Sequence, residues 1–255
     1  MLRISFARIR TRCSLRRFSA AAVEADEQLA GTVAPHSLYI VLCTSDSPRT
    51  LPSRIQSPIR LDLQRMLLQH GGIVNFMHTT DARALALSAQ LTSPPIRNTA
   101  AQVDNSDDLP ADDMMSPLRR FQPGEYDGPV HLYVCTHAER DCRCGTQGVA
   151  LVDALRDELR RRRKVTKSGL WHRVVVGELA HVGGHKYAAN LLVFPHGDWL
   201  GRLHADQASE LLDIIAKSPF TNMEGETRAP LWPEHWRGRM GLTPAEQRNL
   251  FEKHR

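Results

Sequence analysis

One stretch organises the rest of the chain: residues 129–145 read PVHLYVCTHAERDCRCG. Its first half is an apolar run of the kind that forms a buried strand. Its second half places three cysteines within ten positions, at Cys135, Cys142 and Cys144. Nothing in the sequence resembles a secretory signal, so we expect an intracellular protein, in which clustered cysteines indicate metal or redox chemistry rather than a disulfide framework.

Two histidines extend this set of potential ligands some forty residues later, where residues 181–186 read HVGGHK. Gly183 and Gly184 disfavour a helix through His181 and His185 and favour a tight loop that can approach a buried group closely. Two thiolates and two imidazoles can hold a tetrahedral zinc ion. They can also hold a [2Fe-2S] cluster, in which imidazoles remove negative charge and raise the potential. The spacing alone does not choose between the two.

The sequence on either side of these motifs predicts an α/β fold. Apolar runs bounded by turn residues predict six strands, at residues 37–44, 73–78, 129–136, 171–177, 189–195 and 199–203. Helical periodicity predicts three long helices, at residues 59–70, 147–164 and 205–217. A short capped helix is predicted after Thr243, following an irregular aromatic segment. The order strand, helix, strand, hairpin, helix in the second half is that of a thioredoxin-like domain.

The chain contains a weak internal repeat, because the strand ending in Cys43 and Thr44 resembles the one ending in Cys135 and Thr136. An acidic stretch with prolines and no sustained periodicity separates the two halves. The predicted divisions are a presequence and linker (1–35), an N-terminal thioredoxin-like half-domain (36–92), an acidic linker (93–128), a C-terminal thioredoxin-like domain (129–218) and a C-terminal extension (219–255).

The amino terminus is basic, with six arginines in the first seventeen residues and no acidic residue before Glu24. This composition predicts a mitochondrial transit peptide. Much of the formal net charge of +5 lies there, so the isoelectric point gives little support to nucleic-acid binding. No run of eighteen apolar residues is present, which argues against a membrane span.

The CTHAERD and CRCG sequences at residues 135–145, followed by HVGGHK at 181–186, resemble the sucrase/ferredoxin-like family of thioredoxin-fold proteins. The resemblance runs from about residue 38 to 247 and includes RGRMGL at 237–242. It implies a thioredoxin-like ferredoxin domain, preceded by the related half-domain and followed by the C-terminal extension. It also implies a [2Fe-2S] cluster. The four ligands it implies are Cys135, Cys144, His181 and His185.

The remaining candidate ligands receive structural interpretations. For Cys142 a spare thiol is favoured over an alternative ligand or a disulfide-forming partner in the cluster-free protein. Cys43 is predicted to be a small core residue, His78 a structural residue and His137 a solvated loop residue.

The predicted function is therefore mitochondrial electron transfer, with the matrix as the expected compartment, and an electron carrier is favoured over an enzyme with its own substrate. Histidine ligands predict coupling between electron and proton transfer. The expected partners are redox proteins and the iron–sulfur cluster assembly machinery. The alternatives are a Cys2His2 zinc-stabilised interaction module and a metal-free thiol oxidoreductase using Cys142 and Cys144, which lack the usual CxxC spacing. No paired-carboxylate pattern supports a glycosidase.

Overall fold

A computed structural model describes residues 28–55, 57–80, 128–218 and 228–255. Residues 1–27 of the predicted presequence and 93–127 of the predicted acidic linker lie outside these ranges. Within them, no helix is both long and apolar enough to cross a membrane.

Seven strands form one mixed sheet in the described part of the chain, in the order β1-β2-β4-β3-β5-β6-β7. The strands are β1 (Leu38–Cys43), β2 (Gly72–His78), β3 (Val130–Cys135), β4 (Val174–Leu179), β5 (Leu191–Phe194), β6 (Asp198–Leu200) and β7 (Trp236–Arg239). The α-helices are α1 (Pro58–Leu68), α2 (Val149–Val165), α3 (Leu170–Arg173), α4 (Ala208–Lys217) and α5 (Pro244–Lys253).

The second half of the chain has thioredoxin-like topology. Strands β3 and β4 are parallel and connected through α2. Strand β5 runs antiparallel to β3, and β6 runs antiparallel to β5. The resulting order β4-β3-β5-β6, followed by α4, confirms the fold class expected from the sequence. The first unit, β1-α1-β2, is a parallel strand–helix–strand unit, and it joins the same sheet through two antiparallel residue pairs between β2 and β4.

Alternating strand residues bury apolar side chains on both faces of the sheet. One face packs Leu132 and its neighbours against Leu155 of α2 and Leu211 of α4. The other face packs aromatic side chains, among them Tyr133 and Phe194. Each large apolar side chain buried in this way contributes roughly 1.5–3 kcal/mol. Strand β3, which ends at Cys135, is therefore covered on both sides.

Two elements differ from the sequence prediction. The segment predicted as a strand from Trp171 begins with the helical turn α3, where His172 Nε2 lies 2.7 Å from the carbonyl oxygen of Thr166. Trp171 lies under the Arg162 guanidinium, 4.5 Å from its carbon, so this turn packs against the end of α2. The segment predicted as irregular contains the edge strand β7. Its sequence Trp-Arg-Gly-Arg has no apolar alternation to reveal it, because its arginines are buried by polar partners.

Candidate metal centre

The two predicted cysteine ligands come from the end of a strand and the start of a helix. Cys135 is the last residue of β3, and its N–H donates to the carbonyl oxygen of Asn190 at 3.0 Å. Cys144 opens a π-helical turn, Cys144–Gly148, that continues into α2; such turns occur often at functional sites. Both thiols are fully buried. A β-carbon at Gly148 would collide with the carbonyl oxygen of Cys135, so glycine allows the helix to start against the strand end.

The structure brings three of the four predicted ligands into one group. The sulfur atoms of Cys135 and Cys144 and a ring nitrogen of His181 all lie within 4.8 Å of one another. His185 lies outside this group but next to it, with its ring centroid 5.7 Å from that of His181. The Nδ1 atoms of His181 and His185 are both buried, and neither has a hydrogen-bond partner among the described residues. Buried polar atoms are nearly always paired, so two such atoms beside two thiols fit a site that binds a metal.

The two buried thiols shift each other's pKa in opposite directions. The thiol of Cys144 lowers the pKa of Cys135, against the opposing effect of burial, and the imidazole of His181 and two backbone N–H groups lower it further. The same interaction with Cys135, together with burial, raises the pKa of Cys144. Cys135 is therefore the more acidic of the two thiols, and the thiolate is the form that binds metals.

The histidine loop takes a left-handed backbone at both glycines, with φ of 86° at Gly183 and 66° at Gly184. His185 then starts a 3-10 turn over His185–Tyr187. The Asn190 side chain donates to the carbonyl oxygen of Gly184 at 3.0 Å. Asn190 thereby links the histidine loop to Cys135, because the backbone carbonyl of Asn190 accepts the N–H of Cys135.

Arg237 lies against this loop and was not singled out from the sequence as a site residue. It is 2% exposed, and its guanidinium donates to Asn190 Oδ1 at 2.7 Å. A β-carbon at Gly184 would collide with that guanidinium and lie 2.7 Å from its carbon. Its position in WRGRMGL, inside the region of family resemblance, is the signal that sequence reasoning had available.

His137 connects three loops, and the expectation that it would be solvated was wrong. It is 1% exposed. Its Nδ1 accepts the backbone N–H of His181 at 3.2 Å. The other nitrogen, Nε2, therefore carries the proton and donates to the carbonyl oxygens of Leu51 and Pro52. His137 thus fixes the start of the histidine loop through hydrogen bonds.

The other two cysteines differ from the predicted ligands in their surroundings. Cys142 is exposed. Cys43 is half-buried at the end of β1, and burial raises its pKa. Neither belongs to the group of ligand atoms around Cys135 in the described part of the chain, as expected for a spare thiol and a packing residue. The other predicted structural residue, His78, lies on β2, with its Nδ1 atom 3.0 Å from the carbonyl oxygen of Thr44.

A carboxylate faces the outer side of the site. Asp141 Oδ2 lies 3.8 Å from Nε2 of His185, whose side chain is 45% exposed. The guanidinium of Arg143 donates to the same carboxylate at 2.9 Å and, through this hydrogen bond above all, lowers the pKa of Asp141. A negative charge is therefore held beside the more exposed histidine.

Comparison with known proteins assigns the chain to a family. The model of the family described as sucrase/ferredoxin-like matches residues 29–238. The chain belongs to the sucrase/ferredoxin-like family.

Similar proteins include two named Altered inheritance of mitochondria protein 32. The one from Debaryomyces hansenii is 36% identical over 87 residues, which are 32% of this chain and 29% of that protein. The one from Meyerozyma guilliermondii is 33% identical over 89 residues, 34% of this chain and 29% of that protein. The chain thus covers less than a third of the length of these relatives.

The solved structures similar to this family member include the thioredoxin-like [2Fe-2S] ferredoxin from Aquifex aeolicus. One structure of it covers 35% of this chain and 82% of that chain, at 14% identity and a TM-score of 0.28. Another covers 38% of this chain and 99% of that chain, at 12% identity and a TM-score of 0.29.

Proposed function

We propose that this protein transfers single electrons through a [2Fe-2S] cluster held by Cys135, Cys144, His181 and His185. The observation that carries this function is the pair of buried Nδ1 atoms, on His181 and His185, without hydrogen-bond partners among the described residues. They lie in the loop beside two buried thiols, one of which favours the thiolate. Iron bound through Nδ1 would satisfy both imidazoles and leave each Nε2 free to carry a proton.

The residues present suit a cluster of raised potential. When bound, the cluster supplies one-electron oxidation and reduction. Two neutral imidazoles in place of two thiolates leave the site less negative than a four-cysteine site. In Rieske centres the same exchange raises the potential from about −400 mV to roughly −150 to +300 mV. The chain's burial of both thiols also excludes water from the cysteine side.

We infer that His185 exchanges the proton that accompanies the electron. Its side chain is 45% exposed, and its Nε2 lies 3.8 Å from the Asp141 carboxylate. The carboxylate lies on the Nε2 side of the ring, and the exposed part of the side chain gives a proton at Nε2 a way out to solvent. The potential is then expected to fall as pH rises through the ionisation of the bound imidazole.

A Cys2His2 zinc site is the second candidate, because the same donor set suits tetrahedral zinc. A thiol oxidoreductase has less support, since Cys142 is exposed while Cys144 is buried and the two are not spaced as a CxxC pair.

We propose a mitochondrial location, in the matrix. The arginine-rich first seventeen residues and the printed name of the relatives support it. The proposed partners are redox proteins that exchange electrons at the His185 side and the assembly machinery that supplies the cluster.

Anaerobic purification followed by visible absorption and EPR of the reduced protein tests the cluster. A coloured protein with two irons and two sulfides per chain is expected. Cys135→Ala is expected to be colourless, whereas Cys142→Ser, the matched cysteine variant outside the ligand group, keeps the colour. A colourless wild-type protein containing one zinc per chain would refute electron transfer and favour the zinc module.

A further inference from the structure

We propose that Arg237 is a positioning residue that places a buried, uncompensated positive charge beside the cluster and so raises its reduction potential. This role rests on the proposed cluster. Arg237 lies on the C-terminal edge strand β7, outside both ligand motifs. The reduction potential would then depend on this residue as well as on which residues bind the cluster.

The polar contacts of Arg237 are all to neutral acceptors. Its Nε donates to the Thr32 hydroxyl and its Nη2 to the Thr32 carbonyl oxygen, each at 3.1 Å. Its Nη1 donates to Asn190 Oδ1 at 2.7 Å and to the Gly183 carbonyl oxygen at 3.4 Å. The guanidinium also lies over the Tyr187 ring, 4.8 Å from its centroid. No carboxylate among the described residues accepts from it.

Arg239, two residues along the same strand, shows what a neutralised arginine looks like in this fold. It is 1% exposed, and its guanidinium donates to both carboxylate oxygens of Asp198, at 2.6 and 3.1 Å. Its charge is therefore balanced at short range. Arg237, equally buried, has no such partner in the described part of the chain, so its field extends to the groups around it.

The thiols of the proposed site are among the groups that interact with the Arg237 charge. Burial lowers the pKa of Arg237 to about 10, and interactions with Tyr187, Cys135 and Cys144 oppose that decrease. A pKa near 10 leaves the guanidinium charged at neutral pH. The added electron of a reduced cluster makes the site more negative, so this cation stabilises the reduced state more than the oxidised one.

Arg237 also holds the two sides of the site in register. Its partner Asn190 accepts the Cys135 N–H at its carbonyl oxygen and donates from its side chain to Gly184. Arg237 contacts the Gly183 carbonyl of the same loop. A variant must therefore separate the charge from the contacts.

Three variants make this separation. Arg237→Lys keeps the positive charge but loses the planar guanidinium, whereas Arg237→Gln loses the charge and keeps a hydrogen-bond donor. Arg140→Gln is the control, because it removes an exposed charge from the loop between Cys135 and Cys144. The readouts are the midpoint potential, from a spectroelectrochemical titration of the full-length chain, and visible absorbance per protein. Arg237→Gln is expected to shift the oxidised-to-reduced ratio at fixed potential roughly tenfold toward oxidised, a decrease of about 59 mV for one electron. Both controls are expected to stay within roughly threefold of wild type: Arg237→Lys because it keeps the buried charge, and Arg140→Gln because the exposed charge it removes is screened by solvent.

Retention of the cluster by Arg237→Lys but not by Arg237→Gln would also support the proposal that the positive charge of residue 237 acts on the cluster. A fully loaded Arg237→Gln protein with the wild-type potential would overturn it, as would a Lys variant shifted as far as the Gln variant. Loss of the cluster from both variants, with the fold intact by circular dichroism, would overturn the proposal, because it would show that the hydrogen bonds of Arg237 matter and its charge does not. A colourless wild-type protein would instead refute the proposed function.

Discussion

Two features of the histidine loop require glycine at position 184, its left-handed backbone and the close approach of Arg237, and Gly184→Ala tests both. Gly184 has φ 66° and ψ 43°, in the left-handed region, where a β-carbon costs about 1–2 kcal/mol. That carbon would also collide with the Arg237 guanidinium. Such a side-chain end usually moves cheaply, but Arg237 is 2% exposed and held by its contacts with Thr32, Gly183 and Asn190.

Gly183→Ala is the matched control. Gly183 also has positive φ, at 86°, but nothing lies within 4 Å of where its β-carbon would be. It therefore carries the backbone cost without the collision. Displacing Arg237 breaks at least one hydrogen bond to a charged group, which is worth about 1.5–3 kcal/mol. The expected losses in free energy of unfolding are about 1–2 kcal/mol for Gly183→Ala and about 3–5 kcal/mol for Gly184→Ala.

Thermal unfolding of the two variants measures the difference. At about 2–4 °C per kcal/mol for a chain of this size, Gly184→Ala is expected to melt several degrees below Gly183→Ala. It is also expected to hold less metal, because Arg237 and the loop carrying His185 must separate. Equal melting temperatures and equal metal content in the two variants would refute the idea that Arg237 is rigidly held against the loop.

Three further outcomes are expected. Cys144→Ala should lose the bound metal, and Cys142→Ser should keep it, as measured by metal content after gel filtration. Burial lowers the pKa of His131 from 6.5 to about 4, so the unfolded chain binds the extra proton first as pH falls. Stability is then complete above pH 6.5 and decreases by up to about 3 kcal/mol between pH 6.5 and 4; urea unfolding of His131→Gln at several pH values should show a shallower dependence, and an unchanged slope would contradict this. Glu178 is 3% exposed and accepts hydrogen bonds from Arg49 and Arg156, which are both partly exposed. Glu178→Gln should therefore lower the free energy of unfolding in urea by about 1–3 kcal/mol. An unchanged free energy of unfolding would contradict a stabilising role for these ion pairs.

Much of the fold follows from the sequence because its strands are apolar and end at recognisable turns. The run before Cys135 predicts β3 within a residue at each end, and strand–helix–strand order then places the loop after β4 next to it. That reasoning predicts that all four candidate ligands lie together. Cys135, Cys144 and His181 do, and His185 lies next to them, outside the group.

What sequence reasoning missed depends on polar groups that pair only in three dimensions. Arg237 looks like a surface charge, since its acceptors at Thr32 and Asn190 are distant in sequence. His137 looks like a solvated loop residue for the same reason, because its partners at Leu51 and His181 belong to other loops. Burial of a polar side chain is decided by such partners, and no periodicity encodes them.

The two sides of the candidate centre are held by different means, and this bears on how it works. The cysteines are fixed by covered elements of the fold: Cys135, at the end of β3, pairs with Leu179 of β4, and Gly148 allows the helix carrying Cys144 to start against the strand end. The histidines lie in a loop held by side-chain hydrogen bonds from Asn190 and Arg237, with His185 partly open to solvent. In the proposed cluster, a buried cysteine side and an accessible imidazole side would confine proton exchange to the imidazoles. Changes to Arg237 or Asn190 are therefore expected to alter potential and its pH dependence before they alter the fold.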